Sequence, residues 1–164
     1  MNKKLVWDLD GVIRSLYPAV IRRFNLWAPS EYEEWDNAGY NIYDLAKKDD
    51  YKFLIEAKPT KYFKTIKEYY NKKIIEIWSY QPEDWTIYTK EWLNKHFKAF
   101  VVYWLKPEEK YKRLKTEKNT LLVDDYPFHK SYDNILLINQ KYNSKVEAKN
   151  RITSVKDLRG FLNG

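Results

Sequence analysis

The chain has 164 residues, 44% of them hydrophobic and 18% aromatic, which is enough for one domain with a substantial core and excludes a disordered chain. A net charge of +7 suits a polyanion or a phosphorylated small molecule without choosing between them. The absence of cysteine excludes a disulfide framework and a thiolate metal site, and four glycines leave no Gly-rich phosphate loop. No apolar run is long enough for a membrane span and no charged-then-apolar leader opens the chain, so a cytoplasmic protein with no membrane partner is expected.

Residues 3–7 read as the first strand, and it ends in Asp8-Leu9-Asp10-Gly11. Alternation at a strand end sends two carboxylates spaced i, i+2 to the same side. Such a pair repels itself and loses solvation, so a bound cation is the simplest compensation; an ordinary Asp-Gly turn is the competing reading. From Arg14 to about Lys58 strand character lapses. Residues 15–27 and 42–57 carry helical patterns, with possible breaks at Ala38-Gly39 and Asp49-Asp50. Pro59-Thr60 opens a clearer helix with Tyr62, Phe63, Ile66, Tyr69 and Tyr70 at helical spacing.

A second apolar strand over 74–78 closes on Ser79, and Glu83-Asp84 begin a helix with Trp85, Tyr88, Trp92 and Leu93 on one face. Residues 99–105 form a third strand, stopped by Lys106-Pro107 and followed by a short helix carrying Tyr111 and Leu114. The fourth strand, 120–123, ends in Asp124-Asp125, and the fifth covers 135–138. Ser154 is expected to cap the last helix, with Asp157 three residues on completing a variant capping box.

Apolar strands separated by helices indicate an α/β protein: a three-layer, doubly wound, mostly parallel five-stranded sheet with helices on both faces. In such sheets ligands bind beyond the carboxyl ends of the strands, near a topological switch point. The ends of strands one, two and four hold Asp8 and Asp10, then Ser79, then Asp124 and Asp125. That convergence points to chemistry.

The segment Val6-Trp7-Asp8-Leu9-Asp10-Gly11-Val12 resembles the first motif of the haloacid dehalogenase-like (HAD) phosphohydrolases, an apolar strand followed by D-x-D-G-(T/V). Residues 74–79 are similar to the second motif, an apolar strand closed by Ser or Thr, and Leu121-Leu122-Val123-Asp124-Asp125 to the fourth in its double-aspartate form. The third is a lysine before the fourth strand. Lys110, 14 positions before Asp124, fits the expected spacing, and Lys106 beside Pro107 is the alternative. The pattern is most similar to the 5′(3′)-deoxyribonucleotidase-like branch, in which a Gln-Pro-Tyr-Asn-type loop follows a short strand; here Gln140-Lys141-Tyr142-Asn143 has lysine in place of proline.

The resemblance implies a HAD-like Rossmannoid core over 1–13 and 59–164 with a small helical cap over 14–58, and strands one and four side by side at the centre. It implies Asp8 as nucleophile and Asp10 as the acid and base of a phosphomonoester hydrolysis. Ser79 and Lys110 would bind phosphate. Mg²⁺ would be held by the Asp8 carboxylate, the Asp10 main-chain carbonyl and the Asp124 carboxylate, with Asp125 in support. In the cap, Phe24, Trp27, Trp35, Tyr40, Tyr43 and Phe53 are candidates to stack a nucleobase, and Arg14, Arg22 or Arg23 to meet phosphate. His96 and His129 lack zinc-site spacing and read as structural. A (deoxy)nucleoside monophosphate is the expected substrate. The alternatives are a phosphorylated nucleic-acid 3′- or 5′-end and a catalytically idle nucleic-acid-binding domain.

Overall fold

A computed structural model describes residues 3–26, 41–71, 73–126 and 133–164. Its centre is a parallel sheet in the order β3-β2-β1-β4-β5-β6, built from β1 (Lys4–Trp7), β2 (Ile75–Ser79), β3 (Phe100–Trp104), β4 (Thr120–Asp124), β5 (Ile135–Ile138) and β6 (Arg151–Ile152). Every strand pairing is parallel. The sheet has six strands rather than the expected five. The sixth, Arg151–Ile152, spans two residues, too short to leave a periodic pattern, and pairs only through Leu137↔Arg151 and Ile138↔Ile152.

Side-chain alternation splits the apolar residues between two faces. Trp7, Ile75, Ile77, Leu121, Val123, Leu136 and Ile138 pack with Ile66 of α4 (Phe63–Tyr69), Trp92 and Leu93 of α5 (Thr86–His96) and Leu158 of α7 (Val155–Asn163). Val6, Trp78, Leu122 and Ile135 face the other way, against Leu114 of α6 (Pro107–Thr116). Each fully buried indole finds an acceptor: Trp7 donates to the Tyr70 hydroxyl at 2.9 Å, Trp78 to Glu76 at 2.8 Å and Trp92 to the Ala57 carbonyl at 2.7 Å. At the edge, β3 leaves Val101 and Tyr103 exposed. The last helix begins as expected, with Ser154 accepting from the Asp157 amide and the Asp157 carboxylate accepting from the Ser154 amide. Among the described residues no helix is long and apolar enough to cross a membrane.

Between β1 and α4 lie α1 (Leu16–Phe24), α2 (Ile42–Lys48) and α3 (Lys52–Glu56). The expected break at Asp49-Asp50 separates α2 from α3. Asp50 and Tyr51 take positive φ there, and the Asp49 carboxylate accepts from the Phe53 amide at 3.0 Å. Ala38-Gly39 lies outside the described residues. The chain enters this segment at Arg14 and leaves at Pro59, and those two positions are bridged antiparallel. Leu16, Ala19, Val20, Ala46, Phe53, Leu54 and Ala57 form a second apolar cluster that closes on Trp85, just ahead of α5. The insert therefore sits at the N-terminal end of α5, above the carboxyl ends of the strands.

Candidate active site

The strand order reverses between β1 and β4, whose register pairs Trp7 with Val123 and whose ladder continues one step in the bond from the Asp8 amide to the Val123 carbonyl, 2.8 Å. That geometry carries Asp8 and Asp124 out of the sheet side by side. Asp8 is 7% exposed, and Asp124 and Asp125 are 1% exposed each. Carboxylate oxygens of Asp8, Asp124 and Asp125 lie within 4.8 Å of one another. The Lys110 ammonium, from the first turns of α6, donates to Asp8 at 2.7 Å and to Asp124 at 3.1 Å. Lys106, the alternative, is an exposed N-cap residue of that helix.

Three acids around one cation are electrostatically incomplete. Burial, with Asp124 and Asp10 adding to it against the opposing pull of Lys110, pushes the Asp8 carboxyl up to about 7. Burial and the neighbouring Asp8 and Asp124 likewise raise Asp125 well above the carboxylate range. Burial penalises the charged form of Lys110, but Asp124 and Asp8 outweigh it and hold the lysine more basic than usual. One oxygen of Asp125, Oδ1, is buried with no hydrogen-bond partner among the described residues. An orphaned buried acceptor beside two other carboxylates fits a hard divalent cation, for which all-oxygen ligands are the natural set.

Asp10 sits in a different setting. Its carboxylate is not part of that cluster. Arg14 donates to it through Nε at 2.7 Å and Nη2 at 2.9 Å, and Gln81 Nε2 donates at 2.6 Å. Arg14 was a candidate for meeting phosphate; the structure corrects this. The residue is fully buried, and its remaining nitrogen, Nη1, donates to the Leu54 carbonyl at 3.1 Å and to Thr89 Oγ1 at 3.2 Å. Gln81 also reaches Ser79 Oγ at 3.4 Å, and Ser79 is buried at the end of β2.

The glycine of the motif is required by its surroundings. Gly11 has φ +84°, and an added Cβ would overlap the Asp125 carboxylate and stand 2.7 Å from the Tyr142 hydroxyl. Tyr142 donates to Asp125, Gln140 donates to the Gly11 carbonyl, and Asn143 Nδ2 donates to the carbonyls of Asp125 at 2.8 Å and Ile138 at 2.9 Å. The loop after β5 thus grips both acidic segments from behind.

A cavity of about 320 Å³ opens above the acids, lined by Asp8, Asp10, Ser79, Lys110 and Asp124 together with the aromatic residues Tyr17, Tyr43, Tyr80, Trp85 and Tyr126. The site residues read from the sequence therefore converge on one cavity wall, with Asp125 just behind it. Of the candidate aromatics between β1 and α4, Tyr43 lines the cavity, whereas Phe53 is buried against Trp85 and Phe24 packs on the same apolar cluster. Trp27, Trp35 and Tyr40 lie outside the described residues, as does His129. Arg23 is tied to Asp49 at 2.7 Å on the surface and Arg22 is exposed, so neither joins the cavity. His96 packs against Trp92 and Phe63. Sequence reasoning missed Gln81 and Tyr142 as site residues. A polar residue two places past Ser79 was the only available hint for the first, and the tyrosine of the Gln-Lys-Tyr-Asn loop for the second.

No protein-family model matches the chain, and no curated protein matches it in sequence. Solved structures do. A predicted phosphatase from Clostridium acetobutylicum aligns with a TM-score of 0.51 at 13% identity, over 99% of each chain. A HAD-superfamily hydrolase of subfamily IA from Geobacter sulfurreducens aligns with a TM-score of 0.54 at 12% identity, over 98% of this chain and 96% of its own. A hydrolase from Streptococcus pneumoniae aligns with a TM-score of 0.51 at 14% identity, over the whole of both chains. What the chain shares with them is the fold, a HAD-like Rossmannoid sandwich.

Proposed function

We propose that the chain is a Mg²⁺-dependent phosphatase that hydrolyses a phosphomonoester through an aspartyl-phosphate on Asp8, with a (deoxy)nucleoside monophosphate as substrate. One observation carries the reading: at the switch point of the sheet the buried Asp8 and Asp124 carboxylates share a single lysine, with the buried Asp125 carboxylate beside them, and Asp8, Asp124 and Lys110 line a cavity. The Asp8 and Asp124 carboxylates with the Asp10 main-chain carbonyl would hold the cation, and Asp125 supports that shell. Bound there, Mg²⁺ screens the repulsion between the Asp8 carboxylate and the phosphate dianion.

The residues then divide the work. An Asp8 oxygen attacks phosphorus in line as the ester P–O bond breaks, and Asp10 gives its proton to the departing alkoxide. Water next attacks the acyl phosphate. Asp10 takes the proton of that water, the new P–O bond releases Asp8, and inorganic phosphate leaves. Lys110 and Ser79 hold the non-bridging oxygens, where charge is spread in the transition state. Residues 14–58 serve as the cap that sets specificity.

Aromatic side chains in the same cavity, Tyr17, Tyr43, Tyr80, Trp85 and Tyr126, suit a planar base. The only cation lining the cavity among the described residues is Lys110, which supports a single phosphate over a nucleic-acid backbone. Purified protein with Mg²⁺ is expected to release phosphate from a panel of ribo- and deoxyribonucleoside monophosphates and to stop when the metal is chelated. Asp8→Asn should lower turnover by about 10⁴-fold or more while the circular dichroism spectrum is retained. No phosphate from any nucleotide overturns the substrate; none from a generic aryl phosphate either overturns the enzyme. Faster release from a phosphorylated oligonucleotide than from the mononucleotide would move the substrate to a nucleic-acid end.

A further inference from the structure

The carboxylate of Asp10 is one corner of a closed ring of hydrogen bonds. Arg14 grips both of its oxygens, and Arg14 Nη1 donates to Thr89 Oγ1. The Thr89 hydroxyl donates to Gln81 Oε1 at 3.3 Å, and Gln81 Nε2 returns to Asp10. The ring assigns a direction to each flexible group, since a hydroxyl that accepts from Arg14 has its proton left for Gln81, and the amide is thereby oriented with its nitrogen towards Asp10. Arg14 and Thr89 are fully buried, and the ring meets the cavity only through Asp10 and Gln81.

Arg14 and Gln81 do not bond each other; Asp10 and Thr89 join them. This ring ties Asp10 to three separate elements: the turn after β1 through Arg14, the segment after β2 through Gln81, and α5 through Thr89. The Leu54 carbonyl adds α3 of the insert. We infer that Arg14 and Gln81 are positioning residues for proton transfer: they hold the Asp10 carboxylate at the angle from which it reaches the leaving oxygen of the substrate. The inference rests on the reading of Asp10 as the acid and base. The proton itself moves between Asp10 and the alkoxide, and Arg14 and Gln81 exchange none.

Leaving-group dependence separates positioning from mere structural support. A phenol of low pKa departs as its anion with little help, whereas an alkyl alkoxide needs the proton. The parameter to read is kcat/KM, which ends at formation of the phosphoenzyme. For Gln81→Met, which keeps volume and removes both the donor to Asp10 and the acceptor for Thr89, kcat/KM on an alkyl phosphate is expected to fall about tenfold further than on an aryl phosphate with an acidic phenol. Arg14→Lys should show the same selectivity, and Asp10→Asn a larger one. Equal losses on the two esters in Gln81→Met and Arg14→Lys, with selectivity retained in Asp10→Asn, overturn the positioning role alone. An unselective Asp10→Asn overturns the role of Asp10 and this inference with it, and a wild type inert on both esters overturns the phosphatase reading itself.

Discussion

Asp8 and Asp10 are two residues apart and line one cavity, yet their surroundings are opposites. Asp8 competes with Asp124 for one lysine, with Asp125 close by, and the three acids stand in excess of charge. Asp10 has a guanidinium of its own, buried and bidentate, and an amide besides. The first arrangement is built to accept something positive; the second is already closed. Sequence spacing alone makes the two residues look alike, and only the partners separate a group that needs a ligand from one that needs to be held still.

Removing each cation in turn should separate the two aspartates most clearly. Lys110→Met leaves the buried Asp8 and Asp124 without their cation and should cost about 3–5 kcal/mol in urea denaturation, and Arg14→Met, which strips the half-buried Asp10 of its partner, should cost about 2–4 kcal/mol. Millimolar Mg²⁺ is expected to distinguish them. The stabilisation it adds should be greater in Lys110→Met than in wild type, because the cluster is then more negative, and no greater in Arg14→Met than in wild type. Equal increments in both variants would place the cation elsewhere.

The acid excess also predicts a pH dependence in metal-free protein. The folded pKa of Asp8, at about 7, stands above that of a carboxyl in an unfolded chain, and Asp125 is shifted in the same direction. Between those values the folded state holds protons that the unfolded state has released. The contribution to stability is therefore complete below pH ~4 and is lost as the pH rises through about 7. Glu117, Asp133 and Asp157 are shifted downwards and act with the opposite sign, so the comparison must be with Asp8→Asn. Relative to that variant, the melting temperature of wild type in chelator is expected to decline from pH ~4 to ~7. Mg²⁺, which competes with those protons, should flatten the slope.

A smaller effect is expected behind the cluster. Tyr142→Phe removes the donor to Asp125 and should cost about 1–2 kcal/mol, read from the urea midpoint. Because the hydroxyl and the cation serve the same carboxylate, the loss should shrink when Mg²⁺ is present.

Much of this was legible in the sequence because the acids sit at strand ends, where an apolar run stops abruptly. Asp8, Asp10, Ser79, Asp124 and Asp125 all follow such runs, and a sheet in which β1 pairs with β4 brings Asp8 and Asp124 together. Lys110 was legible through its distance from Asp124 and its place among core-facing residues of one helix. Arg14 was not. Four residues past Asp10, it reads as a candidate to meet phosphate until the insert and α5 close over it. Phe53 and Tyr43 are equally aromatic in sequence, and the pairing of α3 with α5 makes the first a core residue and leaves the second at the cavity. Pair choices between distant elements carry no local signal, and these functional assignments depend on them.

The grip of the loop after β5 has a consequence for how the molecule is made. Gln140 and Tyr142 bind Gly11 and Asp125, and Arg151 of β6 in turn holds that loop through Asn139 at 2.7 Å and Asn143 at 3.2 Å. The turn after β1 is thus completed by a loop 129 residues further along the chain. A growing chain that has released residues up to Asp125 holds Asp8, Asp10, Asp124 and Asp125 but lacks the tyrosine and glutamine that secure them. Contacts spanning more than a hundred residues close slowly. The buried acids of the site are therefore secured only once the loop after β5 has closed on them.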